Sequence, residues 1–140
     1  MKDFYLKYKE QILYLAFGVI VTLVNWIVYA LLVAVVNMGI TLSNLIAWAA
    51  AVVTAFITNK LFVFESKKTD KKSVLKESVA FLLSRISTGV FEVIAPSLLF
   101  FIGLDGMLFG IDGFYAKLIV SIIVVILNYI LSKKIVFKKP

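Results

Sequence analysis

Four long apolar segments, separated by short polar ones, account for most of the chain. Each has the roughly 20 mainly apolar residues that a helix needs to cross a hydrocarbon layer of about 30 Å. The pattern predicts an all-α membrane protein with four transmembrane helices, at residues 11–36, 41–64, 78–102 and 114–137. We interpret the first as a true span and the whole chain, 1–140, as a single membrane domain.

Composition supports this prediction and narrows the chemistry. The chain is 62% hydrophobic and 16% charged, and its mean hydropathy is +1.03. It contains neither cysteine nor histidine, which rules out disulfides, thiol nucleophiles and the usual zinc ligands. A metalloenzyme and a cysteine nucleophile are therefore excluded. We also expect no cofactor and no enzymatic activity.

The basic residues predict the orientation of the chain, because cytoplasmic loops retain Lys and Arg. They cluster before span one, between spans two and three, and after span four: Lys2, Lys7, Lys9; Lys67, Lys68, Lys71, Lys72, Lys76; Lys133, Lys134, Lys138, Lys139. The other two connections, 37–40 and 103–113, contain none. Both termini are expected in the cytoplasm. This topology and contact with anionic lipids account for the net charge of +7 without nucleic-acid binding.

The chain also repeats itself. Residues 59–64 and 132–137, at the ends of spans two and four, share a polar residue, a lysine, two variable positions and Val-Phe. Spans one and three share a seven-residue spacing: Gly18 and Asn25, and Arg85 and Glu92. We predict two helical hairpins of common ancestry. Because each hairpin has two spans, the copies would form a parallel repeat with the same membrane orientation.

Polar and small residues recur at helical spacing within every span. We attribute the alanines among them to close helix packing and expect the four stripes to converge on one polar cleft. The stripes are Gly18, Thr22, Asn25 and Tyr29; Ser43, Ala47, Ala51, Thr54 and Thr58, with Ala55 alongside; Arg85, Thr88, Glu92 and Pro96; and Lys117, Ser121, Asn128 and Ser132.

Arg85 and Glu92 are the strongest functional signal, because ionisable side chains within a membrane usually mark a pathway or pair with one another. They lie about 10 Å apart along a helix, so two separate contacts and one extended ion pair both remain open. Pro96 cannot donate to the Glu92 carbonyl, which adds an acceptor at that depth. Arg and Lys donors suit a phosphate, whereas carboxylates and amides suit sugar hydroxyls.

The paired endings, the Gly18–Asn25 stripe and the Arg85–Glu92 pair resemble the GtrA-like family, and particularly its GtcA-type members. The resemblance covers about residues 11–137. It implies a four-span protein of the bacterial plasma membrane that moves a polyprenyl-phosphate-linked sugar, typically undecaprenyl-phosphate glucose, to the outer leaflet. Membrane glycosyltransferases then use the sugar, in GtcA-type members for teichoic acid glycosylation. The second motif departs from the first, with Ser132 for Asn59 and Ile135 for Phe62, which leaves the equivalence of the two lysines open.

On this hypothesis the substrate-binding residues form two groups. Arg85, Lys60 and Lys133 contact the lipid phosphate, with Asn59 beside Lys60. Glu92, Asn25 and Asn128 line the sugar path. Four spans give only a narrow cleft, so we expect a homodimer.

Two other functions fit the sequence. A small proton-coupled multidrug exporter also uses four short spans and a buried glutamate, although its acid is expected in span one, where Asn25 stands. A non-transporting subunit would recruit a glycosyltransferase through the basic loop at residues 67–76. Lys60 and Lys133 also suit ordinary interfacial anchoring beside aromatic residues.

Overall fold

The computed structural model describes residues 2–103 and 114–138. The helices are α1 (Lys2–Ala34), α2 (Ile40–Thr58), α3 (Lys71–Phe101) and α4 (Phe114–Leu131). Short π-helical segments, which we call π1 (Asn59–Val63) and π2 (Ser132–Val136), extend α2 and α4. The connection with Asp105 and Asp112 lies outside the described residues.

The prediction of four spans is confirmed. All four helices are long and apolar enough to cross a membrane, over Leu6–Ala34, Ile40–Val63, Lys71–Ala95 and Ala116–Val136. Helices α1 and α3 begin earlier than the apolar pattern, at Lys2 and Lys71. The residues before the apolar segments, 2–10 and 71–77, contain three Lys and one Glu each, and both residue types favour helix without needing burial. The helices therefore continue beyond the apolar segments.

The chain divides into two compact units at Asp70, and each unit is a helical hairpin. In the first, α1 packs against α2 and π1, and in the second, α3 packs against α4 and π2. The predictions of a single domain, of common ancestry and of parallel orientation remain predictions.

The first hairpin is packed through a stripe of small residues on α2 and π1. Every fourth residue along this stripe is buried: Ser43, Ala47, Ala51, Ala55 and Asn59. Residues four apart share one helix face, and small side chains on that face let two helices approach closely. The interpretation of the alanines as packing residues agrees with this burial.

The second hairpin uses the corresponding positions of α4 and π2. Ala116, Val120, Val124 and Ser132 are buried, and Asn128 is half-buried. Each lies 73 residues after its counterpart in the first hairpin. Val120 and Val124 form the second core with Ala95 and the partly buried Leu99. The side chains here are larger than the alanines of α2.

The repeated motif folds in the same way in both hairpins. In π1 the Phe64 N–H donates to the Asn59 carbonyl at 2.8 Å, and in π2 the Phe137 N–H donates to the Ser132 carbonyl at 2.8 Å. A π-helix places one additional residue in the turn, which turns the following Val-Phe pair towards the core. Val63, Phe64, Val136 and Phe137 are all at least 95% buried.

Each motif phenylalanine packs against a ring from the other helix of its hairpin. Phe64 lies against Tyr14, with centroids 6.5 Å apart and ring planes at 52°. Phe137 lies against Phe81, at 6.1 Å and 48°. Tilted pairs at these distances are favourable aromatic contacts. The resemblance between the motifs is thus matched by equivalent packing inside each hairpin.

Candidate functional site

Arg85 lies on α3 and is half-buried. Its guanidinium carbon, Cζ, is 4.6 Å from the ring centroid of Phe81, one turn earlier. Phe81 is itself 1% exposed and packs on Phe137. A cation over an aromatic face is stabilised by the ring quadrupole, so two buried rings fix the position of the arginine head. Sequence reasoning missed Phe81, although its position four residues before Arg85 is the spacing at which helical side chains meet.

A hydrogen bond joins the helices of the second hairpin one turn further along. The Thr88 hydroxyl donates to the side-chain oxygen of Asn128 at 2.8 Å. The same hydroxyl oxygen is 3.0 Å from the Ser84 carbonyl oxygen, and its single proton serves one acceptor at a time. Thr88 is 4% exposed. This contact shows that Asn128, a predicted site residue, faces α3.

Glu92 is half-buried on the same face of α3 as Arg85 and Thr88. It forms no hydrogen bond or ion pair with any residue that the structure describes. Arg85 and Glu92 therefore do not pair, and the two-contact interpretation fits better than a structural ion pair. The backbone of α3 stays helical through Pro96, so the Glu92 carbonyl faces a residue that has no N–H.

Asn25 lies on α1 at the position that corresponds to Glu92 on α3. It too is half-buried, and within residues 2–103 and 114–138 its amide has no hydrogen-bond partner. Each hairpin thus holds, at the corresponding position of its first helix, one polar side chain that has no partner among the described residues. One is a neutral amide and the other is a carboxyl group.

The two motif lysines occupy different environments. Lys60 is 7% exposed, and its ammonium donates to the Ser66 hydroxyl at 3.2 Å. The Ser66 N–H returns a bond to the Lys60 carbonyl at 2.8 Å, across a turn in which Glu65 has a positive φ of 49°. Asn59, beside Lys60, is 3% exposed.

Lys133 is exposed. Its ammonium donates to the Tyr129 hydroxyl at 3.2 Å, one turn back on the same helix. The residue six positions after Lys133 is Lys139, where the first motif has Ser66, so this position supplies no hydroxyl. The two lysines are equivalent in sequence and different in environment.

An ion pair joins the two ends of the first hairpin. The lysine distribution predicts that both ends lie on the cytoplasmic side. The Lys9 ammonium lies 3.0 Å from a Glu65 carboxylate oxygen, with side chains 45% and 57% exposed. Exposed pairs contribute at most about 1 kcal/mol. Because 56 residues separate the partners, no local sequence pattern predicts this contact.

Comparison with known proteins identifies the family. A family model described as "GtrA/DPMS, transmembrane domain" matches residues 13–137. The chain belongs to this family. No solved structure matches it significantly. The match covers all four transmembrane helices and both motifs, and it confirms the resemblance inferred from the sequence.

Several curated relatives of the GtrA/DPMS family cover most of the chain. It is 37% identical over 134 residues to the uncharacterised membrane protein YwcD of Bacillus subtilis, covering 91% of this chain and 95% of YwcD. It is 35% identical over 127 residues to the cell wall teichoic acid glycosylation protein GtcA of Listeria innocua, covering 91% and 83%. The corresponding protein of Listeria monocytogenes is 33% identical over 127 residues, again covering 91% and 83%.

Proposed function

We propose that this protein supports glycosylation of a cell-wall polymer such as teichoic acid by moving a polyprenyl-phosphate-linked sugar across the plasma membrane. It acts as a transporter and not as an enzyme. The observation that carries the proposal is the polar face of α3, where Arg85, Thr88 and Glu92 follow one another inside a membrane-spanning helix. The Listeria relatives, named for teichoic acid glycosylation, support the choice of pathway.

The chemistry of the substrate explains why such a face is needed. Polyprenyl chains stay in lipid, but a phosphate and a sugar cannot enter hydrocarbon without replacing their hydration. An unpartnered charge at mid-membrane costs several kcal/mol. Amide, hydroxyl and carboxyl groups on a helix face offer the sugar hydroxyls substitutes for water.

The proposed binding residues fall into two groups, one suited to the phosphate of the substrate and the other to its sugar. Arg85, held over Phe81, offers fixed donors to a phosphate, which a guanidinium binds with two parallel hydrogen bonds. Glu92, Asn25 and Asn128 carry acceptor oxygens that suit sugar hydroxyls. Lys60 and Lys133 add positive charge for the phosphate, and the burial of Lys60 makes it the more ordered of the two. Asn59 completes the first motif.

Leaflet exchange in vesicles tests the proposal directly. The purified protein is reconstituted with a labelled polyprenyl-phosphate hexose, and the labelled lipid reaching the opposite leaflet is measured over time. We expect exchange well above that of protein-free vesicles. A correctly folded protein that gives no increase contradicts the proposal.

The division of roles predicts unequal effects of two substitutions. Arg85→Ala is expected to slow exchange about tenfold or more, the effect of losing a hydrogen bond to a charged group. Glu92→Gln keeps an acceptor oxygen and is expected to slow it less. Ser87→Ala is the control, since this exposed hydroxyl donates to the Leu83 carbonyl of its own helix and to no other residue that the structure describes. Equal losses at Arg85 and Glu92 would refute the division.

The alternative functions give different results in the same system. Proton-linked export of hydrophobic cations that disappears in Glu92→Gln would identify an exporter. Copurification of a glycosyltransferase, with glycosylation unaffected at Arg85 and Glu92, would identify a recruiting subunit. A homodimer would be seen as a single species of twice the mass in detergent.

A further inference from the structure

Lys117 is distinguished from the other basic residues by its place in the hairpin. The chain has 15 Lys and Arg residues. Apart from Arg85 within α3, the others lie near the ends at which the chain enters and leaves each hairpin. Lys117 lies three residues after the start of α4 at Phe114, at the end of α4 that follows the connection from α3. It is exposed and has no hydrogen bond or ion pair with a residue in the described part of the chain.

Two general preferences oppose a lysine at this position. Loops on the non-cytoplasmic side retain few Lys and Arg residues, and the connection before α4 has none. A cation in the first turn of a helix also opposes the helix dipole, at a cost of about 0.3–1 kcal/mol. Neither orientation nor helix stability explains Lys117, so a contact with a ligand is the better explanation.

The helices of the second hairpin are antiparallel, and this fixes the height of Lys117 relative to Arg85. Thr88 and Asn128 are level, because they are hydrogen-bonded. Arg85 lies about 4.5 Å to one side of that level and Lys117 about 16.5 Å to the other, from the helical rise. The two cations are thus about 21 Å apart along the hairpin. Long side chains that extend towards the membrane surfaces bring them to opposite headgroup regions.

Glu92 lies between the two cations. Four residues beyond Thr88, it is about 6 Å from the hydrogen-bonded level and about 10 Å from the level of Lys117. Glu92 offers no positive charge to a phosphate between the two cations. The order along the hairpin is cation, carboxyl group, cation.

We propose that Lys117 is the second phosphate contact of the transport path and receives the polyprenyl phosphate at the leaflet opposite Arg85. This inference rests on the proposed function and extends it. One hairpin then holds the phosphate at the start and at the end of its path. The ligand is the phosphate of the transported lipid, and bulk anionic lipid is the competing source that the test must separate.

Three substitutions at Lys117 separate a phosphate contact from a membrane anchor. In vesicles of phosphatidylcholine alone, we expect Lys117→Gln to slow exchange of the labelled lipid about tenfold and Lys117→Arg to stay near the original rate. Lys117→Trp keeps an interfacial anchor without the charge and is expected to be as slow as Lys117→Gln. Lys134→Gln, a charge loss at another exposed lysine, is expected to have no effect.

Several results would overturn the assignment of Lys117. They are an unchanged rate in Lys117→Gln, full activity in Lys117→Trp, or a defect confined to vesicles that contain phosphatidylglycerol. The last result would assign Lys117 to bulk anionic lipid. Circular dichroism and gel filtration of each variant establish that a low rate does not reflect misfolding.

A binding measurement separates failure of this inference from failure of the proposed function. Native mass spectrometry of the purified protein with polyprenyl phosphate is expected to show weaker binding in Arg85→Ala and a further loss when Lys117→Gln is added. If the protein binds the lipid in this way without exchanging it, the transport proposal fails and the Lys117 contact stands. If Lys117→Gln changes neither exchange nor binding, the Lys117 contact fails alone.

Discussion

At the scale of single residues, Glu92 and Thr88 show two ways in which a polar group is kept inside a membrane-spanning helix. Thr88 satisfies its hydroxyl through Asn128 on the neighbouring helix. Glu92 has no such partner among the described residues, although ionisable groups at bilayer depth cost about 2.5–3.5 kcal/mol on insertion scales. The first arrangement joins the helices of the hairpin, whereas the second is the one that we propose for a ligand.

The Thr88–Asn128 hydrogen bond is expected to contribute measurably to the stability of the second hairpin. Thr88→Val is expected to lower the free energy of unfolding in bicelles by about 0.6 kcal/mol, with about 1.7 as an upper limit, as measured for other interhelical bonds in membranes. Thr22→Val is the control, because among the described residues the Thr22 hydroxyl bonds to the Gly18 carbonyl of its own helix alone. A Thr88→Val, Asn128→Leu double-mutant cycle with no coupling energy would contradict this role.

Sequence reasoning identified most candidate residues, but it did not establish their environments. Lys60 and Lys133 match by motif, yet one is buried against Ser66 and the other is exposed beside Tyr129. The difference arises because the chain turns back after π1 and returns a hydroxyl to Lys60. This turn depends on the positive φ of Glu65. A glutamate in the sequence does not indicate a positive φ, because that conformation is uncommon for residues other than glycine.

At the scale of elements, the apolar pattern predicted the helices, and the four-residue stripe of small residues predicted the packed face of α2. The apolar pattern did not predict π1 and π2. Hydrophobic periodicity does not show whether one turn of a continuing helix contains an additional residue. The duplicated Val-Phe ending indicated that something was shared. What is shared proves to be a turn that buries both residues.

The spacing across π1 sets the direction of Phe64, whose N–H donates to the Asn59 carbonyl. Inserting one alanine after Leu61 would exceed the π-helical spacing and rotate Phe64 by about 100° relative to the rest of α2, away from Tyr14. We expect a clear loss of thermal stability in detergent. Leu61→Ala, which shortens a 54% exposed side chain and keeps the turn, is expected to change stability little. Equal stability of the insertion and Leu61→Ala would show that the direction of Phe64 does not matter for stability.

At the scale of the whole molecule, the lysine distribution makes a prediction about topology that can be tested in cells. The chain contains no cysteine, so a single introduced cysteine reports its own location. Gly39→Cys is expected to react with a membrane-impermeant maleimide in intact cells. Lys67→Cys and Lys138→Cys are expected to react only after permeabilisation. The reverse pattern would refute cytoplasmic termini and would also move Lys117 to the cytoplasmic leaflet.

A polar contact joins the two arms of each hairpin, and these contacts affect the order in which the hairpins can form during synthesis. The first hairpin contains the Lys9–Glu65 pair and the second contains the Thr88–Asn128 bond, so each closes a polar contact without help from the other. Synthesis proceeds from the N-terminus at about 5–20 residues per second, so residues 1–70 leave the ribosome about 4–14 s before the last 70 residues are complete. The first hairpin can therefore close its own polar contact before the second hairpin is complete.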